Sequence, residues 1–236
     1  MGRPSVYGLS VEKRPLTAYR FGSGPIARAL IGGIHGGYEW NTTALMSKTL
    51  EYLAEMPHLV PPEVTLYVIP LANPDGAAAG TDRVKGRMNA NGVDLNRNWD
   101  YEWQPMATHG PWPVSAGAHP FSEPETAALR DFIVDRGIDA VILYHSAAGA
   151  VFSGAGPDAS QTVALARRLA EATQYRYAPE GIPGQVTTGD AIDWLSGQGI
   201  AAAEVELSTH EALDWEQNLK GIRALLTWDL PKTNLD

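Results

Sequence analysis

Ile138-Asp139-Ala140-Val141-Ile142-Leu143-Tyr144 is a near-continuous apolar run of strand length. A strand with one wet face alternates apolar and polar residues, whereas a strand covered on both faces does not. Val64–Ile69 (VTLYVI), closed by Pro70, and Ile200–Leu207 (IAAAEVEL) have the same character. Ala27–Ile34 (ARALIGGI) is a shorter apolar run entering a glycine turn, and Leu16–Phe21 (LTAYRF) alternates weakly as an expected first strand. Helical spacing separates these runs. Asn41–Met56 places Leu45, Thr49, Tyr52 and Leu53 on one stripe and stops at Pro57, and Ser122–Arg136 opens on Ser-Glu-Pro-Glu, a cap with proline in the first turn. Ala159–Thr173, a short piece over Ala191–Ser196 and an amphipathic closing segment, Ala212–Trp228, complete the helical set. Alternating strands and helices with apolar inner strands predict an α/β fold. The expectation is a single domain over residues 1–236, with a mixed, mostly parallel twisted sheet and helices on both faces.

Composition narrows the function classes. The chain carries 27 Asp+Glu against 18 Lys+Arg, a formal net charge of −9. Polyanion binding draws on Lys and Arg, so nucleic acid and anionic membrane surfaces are not expected partners. With no cysteine in the sequence, a disulfide framework, a thiolate metal site and a cysteine nucleophile are excluded, and any metal must sit on His, Asp or Glu. Ala140–Pro157 lacks charge over its whole length, but His145, serines, glycines and Pro157 make it a buried strand followed by a loop rather than a membrane span. The first twenty residues include Arg3, Glu12, Lys13, Arg14 and Arg20 with no apolar core, so no signal peptide is read there. The compartment stays open between the cytoplasm and, for a longer precursor, export.

In open α/β sheets ligands bind outside the carboxyl ends of the strands. Those ends deliver Gly32-Gly33-Ile34-His35-Gly36-Gly37-Tyr38-Glu39, then Asn73-Pro74-Asp75-Gly76, then Tyr144-His145-Ser146, and the last strand holds Glu204 and Glu206. His35, Glu39 and His145 amount to two imidazoles and one carboxylate, a catalytic zinc shell with one position left open. Zinc in such a shell acidifies water from about 15.7 toward roughly 7 and polarises carbonyls. A carboxylate off the metal would then take the water's proton. Glu204 and Glu206 both qualify, because residues i and i+2 of a strand share a face and bare carboxylates in an Ala/Val/Leu strand are costly without a partner or a task. Residues 71–121, rich in Gly, Asn, Pro, Trp and His with little periodicity, form the kind of long irregular stretch that is usually functional.

The segment Asn89-Ala90-Asn91-Gly92-Val93-Asp94-Leu95-Asn96-Arg97-Asn98-Trp99 resembles the Gly-Val-Asp-x-Asn-Arg-Asn signature of the zinc metallocarboxypeptidases, the carboxypeptidase A family. The other matches fall in family order: His35…Glu39-Trp40, Asn73–Gly76, Pro120–Glu125, Tyr144-His145-Ser146, Ile192-Asp193-Trp194 and Glu206-Leu207. The resemblance implies a zinc carboxypeptidase-like fold, one zinc ion per chain on His35, Glu39 and His145, and Asp94 behind a ligand imidazole. It also implies Glu206, followed by Leu207, as general base, and Arg87 as the group that stabilises the oxyanion. Asn96 and Arg97 would grip the free C-terminal carboxylate of a peptide substrate, which makes the activity exopeptidase. The chain departs from the family in having three residues, not two, between His35 and Glu39, and in offering Gln185 where many relatives have a substrate-covering tyrosine; its nearest tyrosines are Tyr175 and Tyr177.

Residues before Ile192 would line the side-chain pocket. Asp190 there pairs with a basic group or caps the following helix. Bacterial relatives of this size include enzymes that trim peptidoglycan stem peptides, some beside diaminopimelate, whose carboxylate and amine suit Arg97 and an acidic pocket. Trp99, Trp103 and Trp112 either flank such a ligand or belong to the core. Two competing functions are a zinc deacylase acting on small acylated amino acids and a catalytically inactive peptide-binding relative.

Overall fold

The computed structural model describes residues 2–157, 159–182 and 187–229. In chain order the strands and helices are β1 (Arg3–Leu9), β2 (Pro15–Gly22), β3 (Ile26–Ile31), α1 (Trp40–Glu55), β4 (Val64–Ile69), α2 (Pro74–Ala79), β5 (Met106–His109), β6 (Trp112–Ser115), α3 (Pro124–Asp135), β7 (Ile138–Ser146), β8 (Ala150–Ser153), α4 (Ser160–Thr173), β9 (Arg176–Tyr177), α5 (Ala191–Gly197), β10 (Ala201–Leu207) and α6 (Trp215–Leu226). Eight strands form one sheet in the order β1-β2-β4-β3-β7-β10-β8-β9, and β5 with β6 forms a separate hairpin. The inner run β4-β3-β7-β10 is parallel; β1 and β2 pair antiparallel toward one edge, and toward the other β8 pairs antiparallel with β10 and parallel with β9. The mixed, mostly parallel sheet is therefore as the sequence implies.

Both faces are covered, and the alternation of side chains shows how. Ala140, Ile142 and Tyr144 of β7, with Ala201, Ala203 and Val205 of β10, pack beneath α1, α4 and α6. Val141 and Leu143 of β7, with Ala202 of β10, face α3 and α5. Burying an aliphatic side chain of this size contributes roughly 1.5–3 kcal/mol, and the inner strands are accordingly apolar at most positions. Continuing the two-residue period, His145, Glu204 and Glu206 fall on the α3/α5 face, at the carboxyl end of the sheet. In the parallel register Glu206 lies opposite His145 and Glu204 opposite Leu143.

Several boundaries differ from expectation. α3 starts at Pro124 because the Ser122 hydroxyl is taken by Glu123 and by Asn98. α6 starts at Trp215 because Asn41 holds the Thr209 and Ala212 carbonyls at 2.7 and 2.9 Å and Asp214 turns the chain at φ 45°. Strand β1 precedes the expected first strand, and β8 occupies part of the stretch read as a loop. No helix among the described residues is long and apolar enough to cross a membrane.

Candidate active site

The three expected ligands come from two strand ends and one helix start. His35 lies in the turn after β3, Glu39 immediately precedes α1, and His145 is the penultimate residue of β7. In the turn, the amides of Tyr38 and Glu39 donate to the His35 carbonyl at 3.1 and 3.4 Å. The additional residue between His35 and Glu39 is accommodated at Gly36, which takes φ +47°; a Cβ there would lie 2.7 Å from backbone atoms of Gly76, Ala77 and Gly86. Only glycine permits that combination of positive φ and close approach.

His35 Nδ1 lies 2.7 Å from Glu39 Oε1, and His145 Nδ1 lies 3.0 Å from both His35 Nδ1 and Glu39 Oε2. All three side chains are buried, and their ligand atoms fall within 4.8 Å of one another. Two imidazole nitrogens facing each other need a proton or a cation between them. Two nitrogen donors, a carboxylate and the absence of soft sulfur ligands fit zinc in a site that keeps a position open. Burial opposes charge on Glu39, but the His35 and His145 rings outweigh it and hold the carboxyl well below its usual range. Burial pulls His145 down, yet the carboxylates of Glu204 and Glu39 overcome it and raise the ring to about 9.

Asp94, fully buried, stands behind His35. Its Oδ1 lies 3.2 Å from His35 Nε2 and accepts from the Asn96 amide at 3.0 Å, while Oδ2 accepts from Arg87 Nε at 2.9 Å. A carboxylate on Nε2 keeps the proton there and leaves the Nδ1 lone pair facing the ligand cluster. Burial opposes charge on Asp94, and Arg87 with His35 outweighs it, so the carboxyl ionises well below the usual range. Arg87 also reaches Glu39 Oε1 with Nη1 at 3.4 Å.

Glu206 Oε2 is buried without a hydrogen-bond partner. Burial, then the charges of Glu39 and Glu204, raise this carboxyl to about 8. In its carboxylate form such a group is a stronger proton acceptor than an ordinary glutamate. On the same face, Glu204 Oε2 lies 3.6 Å from His145 Nε2.

Arg97 is fastened by backbone carbonyls. Its Nε and Nη2 donate to Thr108 O at 3.3 and 3.2 Å, and Nη1 donates to Asn96 O at 2.6 Å. A guanidinium has five N–H donors, so one hydrogen remains on each Nη, a pair suited to a carboxylate. Thr108 belongs to β5, which makes the hairpin the support of this arginine. Asn96 Oδ1 accepts from the Ala191 amide at 3.0 Å, tying the same loop to the start of α5. Asp190 caps α5 by accepting from the Asp193 amide at 3.0 Å, and it also lines the cavity. Burial and neighbouring Asp193 push its carboxyl up to about 8.

One cavity of about 520 Å³ gathers His35, Glu39, Arg87, Asn96, Arg97, His145, Asp190, Glu204 and Glu206. Asp94 is not on its wall. The volume lies within the usual range for small-ligand sites. Tyr38, His109, Asp193 and His210 also line the cavity, and the sequence reading gave none of them a role. The signal for Asp193 lay in Ile192-Asp193-Trp194, whereas His109 sits in a hairpin without periodicity. Of the tryptophans, Trp99 is core, packed against Phe121 and Trp194 with its Nε1 donating to Leu95 O at 3.1 Å. Trp112 is exposed beneath the Arg83 guanidinium, and Trp103 donates to Ala116 O at 3.0 Å. None of the three is among the described residues lining the cavity, and neither are Tyr175 and Tyr177. Gln185 lies outside the described residues.

Among proteins of known kind, the chain is 29% identical over 225 residues to carboxypeptidase B of Astacus astacus, covering 81% of this chain and 74% of that one. It is 28% identical over 231 residues to carboxypeptidase A4 of Mus musculus, covering 83% of this chain and 54% of the relative, so it spans between half and three quarters of these proteins. The fold matches bovine thrombin-activatable fibrinolysis inhibitor in complex with tick carboxypeptidase inhibitor (TM-score 0.77, 22% identity, 96% of this chain and 87% of that one). It also matches the murein-tripeptide amidase MpaA of Escherichia coli O157 (TM-score 0.70, 24% identity, 98% and 93%). The family model described as zinc carboxypeptidase matches residues 3–234, and with the His-Glu-His cluster in place the chain belongs to the zinc carboxypeptidase family, as a zinc-dependent hydrolase of peptide bonds.

Proposed function

We propose that this chain is an exopeptidase that removes the C-terminal residue of short peptides. His35, His145 and Glu39 would hold a zinc ion, whose Lewis acidity would acidify water and polarise the scissile carbonyl. Glu206 takes the proton of the attacking water through its unpartnered oxygen and later returns it to the leaving amine. Arg87, held by Asp94 at Nε and by Glu39 at Nη1, stabilises the oxyanion with its remaining Nη hydrogens. Arg97 receives the substrate's terminal carboxylate on its two remaining Nη hydrogens, and Asn96 holds the loop that carries it. The observation that carries this reading is that Arg97, fastened by backbone carbonyls, and Glu206, with a buried unpartnered oxygen, line one cavity with His35, Glu39 and His145.

The acidic side of the cavity points to the leaving residue. Asp190, Asp193 and Glu204 line it, and an ammonium arriving there would ionise the Asp190 carboxyl that burial and Asp193 have raised to about 8. A residue with a carboxylate for Arg97 and an amine for this pocket satisfies both ends, and diaminopimelate in peptidoglycan stem peptides is such a residue. The murein-tripeptide amidase among the fold neighbours supports that choice.

The test is mass spectrometry of a peptide library containing ordinary C-termini and stem peptides, with and without chelator. The expected result is chelator-sensitive loss of single C-terminal residues, strongest beside amine-bearing side chains. Glu206→Gln should retain zinc and lose roughly 100- to 10,000-fold in kcat, the usual contribution of a positioned base. Hydrolysis of N-acyl amino acids with no peptide cleavage would move the chain to the deacylase class, and zinc binding without any turnover would make it a peptide-binding relative.

A further inference from the structure

The two glutamates of β10 share a face, yet only one of them sits opposite His145 in the strand register. Glu204, two residues earlier, approaches the other side of the same imidazole. Its Oε2 is 3.6 Å from His145 Nε2, and its side chain is only 15% exposed. Nε2 itself is buried without any hydrogen-bond partner. His145 Nδ1 is the nitrogen that faces His35 and Glu39, so Nε2 must carry the proton whenever Nδ1 offers its lone pair to a metal. A buried N–H with no acceptor is costly, and Glu204 is the carboxylate placed to receive it after an approach of a few tenths of an ångström. His35 shows the completed form of this arrangement, with Asp94 Oδ1 at 3.2 Å from its Nε2.

We propose that Glu204 is the positioning residue for His145, fixing its tautomer and ring orientation toward the metal as Asp94 does for His35. The two glutamates then divide the work: Glu206 handles the proton of the attacking water, and Glu204 secures a ligand. Because Glu204 also lines the cavity beside Asp190 and Asp193, it joins the pocket for the leaving residue to the metal ligands. The proposal rests on the reading that His35, Glu39 and His145 hold zinc.

The experiment is zinc affinity by competition with a chromophoric chelator for wild type, Glu204→Gln and Glu206→Gln, together with kcat measured over a zinc titration. Glu204→Gln should weaken zinc binding about 10- to 100-fold, the usual effect of losing such a partner, and excess zinc should restore most of its kcat. Glu206→Gln should bind zinc as wild type does and stay inactive at any zinc concentration. The melting temperature of the metal-free Glu204→Gln protein should match that of metal-free wild type, which separates ligand positioning from general destabilisation. Unchanged zinc affinity in Glu204→Gln, or a loss of kcat that zinc does not restore, overturns the proposal. Failure of the wild-type protein to bind zinc would instead overturn the functional reading beneath it.

Discussion

Replacing Asp94 by Asn tests the buried network behind the ligands without changing its shape. Asp94 accepts at both oxygens: Oδ1 from the Asn96 amide and the His35 ring, Oδ2 from Arg87. An asparagine has one acceptor oxygen and one NH2 group. With the oxygen toward His35, the NH2 group meets the Arg87 Nε–H, donor against donor. With the oxygen toward Arg87, the NH2 group meets the Asn96 amide and forces the His35 proton onto Nδ1, the nitrogen needed for the metal. The first orientation does less damage, and it leaves Arg87 buried with only Glu39 at 3.4 Å. Removing one partner of a buried ion pair destabilises by about 3–5 kcal/mol. At roughly 2–4 °C per kcal/mol for a chain of this size, the metal-free protein should lose about 6–20 °C in melting temperature. Zinc affinity should fall by about 10- to 100-fold, since the partner of a ligand imidazole has been altered. Calorimetry of chelator-treated protein and a competition titration read the two effects separately. A melting temperature within 2 °C or so of wild type, together with unchanged zinc affinity, would refute the network as described.

Three other perturbations have definite outcomes. Arg97→Lys cannot serve Thr108 and a carboxylate at once; losing a charge-assisted hydrogen bond of about 1.5–3 kcal/mol should raise KM by roughly 10- to 100-fold for peptides with free C-termini and leave amidated peptides unaffected, and equal effects on both would rule out the carboxylate grip. Asp190→Asn keeps the helix cap but removes a carboxyl that burial and Asp193 raise to about 8. Because that folded value lies above the unfolded one, wild type loses stability from this group as pH rises toward 8; denaturation curves should show the variant gaining on wild type across that window, and a parallel pair of curves would contradict it. Ile142→Ala, in the fully buried centre of β7, should destabilise by about 2–5 kcal/mol in urea denaturation, and a change below about 1 kcal/mol would place the core elsewhere.

The parts of the molecule that bury apolar surface could be read directly from the residues. Val64–Ile69 and Ala201–Leu207 announce themselves because both faces are covered, and the same covering makes their terminal polar residues conspicuous. Strand β1 gave no signal because it is an edge strand with mostly exposed residues, paired only with β2. β8 was hidden among the small residues that follow Ser146, where a four-residue strand leaves no period to detect. In the loop over residues 71–121, Asp94 and Arg97 were legible from their motif. Their supports were less so, because Thr108 acts through its backbone carbonyl, which any residue possesses. Periodicity alone could not divide Glu204 from Glu206, since a period of two puts both on one face; the family resemblance singled out Glu206 through Leu207, and the register against β7 places Glu206 opposite His145.

The distribution of the ligands along the chain also has a kinetic meaning. His35 and His145 are separated by 110 residues, and they become neighbours only when β3 and β7 have paired in parallel. Parallel pairing requires the intervening crossover to be closed, which makes such contacts slow to form and places them, as an expectation, after the folding transition state. Interactions absent from the folding transition state act on the unfolding rate and leave the folding rate nearly untouched. Zinc held by His35 and His145 should therefore act as a latch on the finished sheet, slowing unfolding while leaving the folding rate nearly unchanged, as stopped-flow measurements with and without zinc would read.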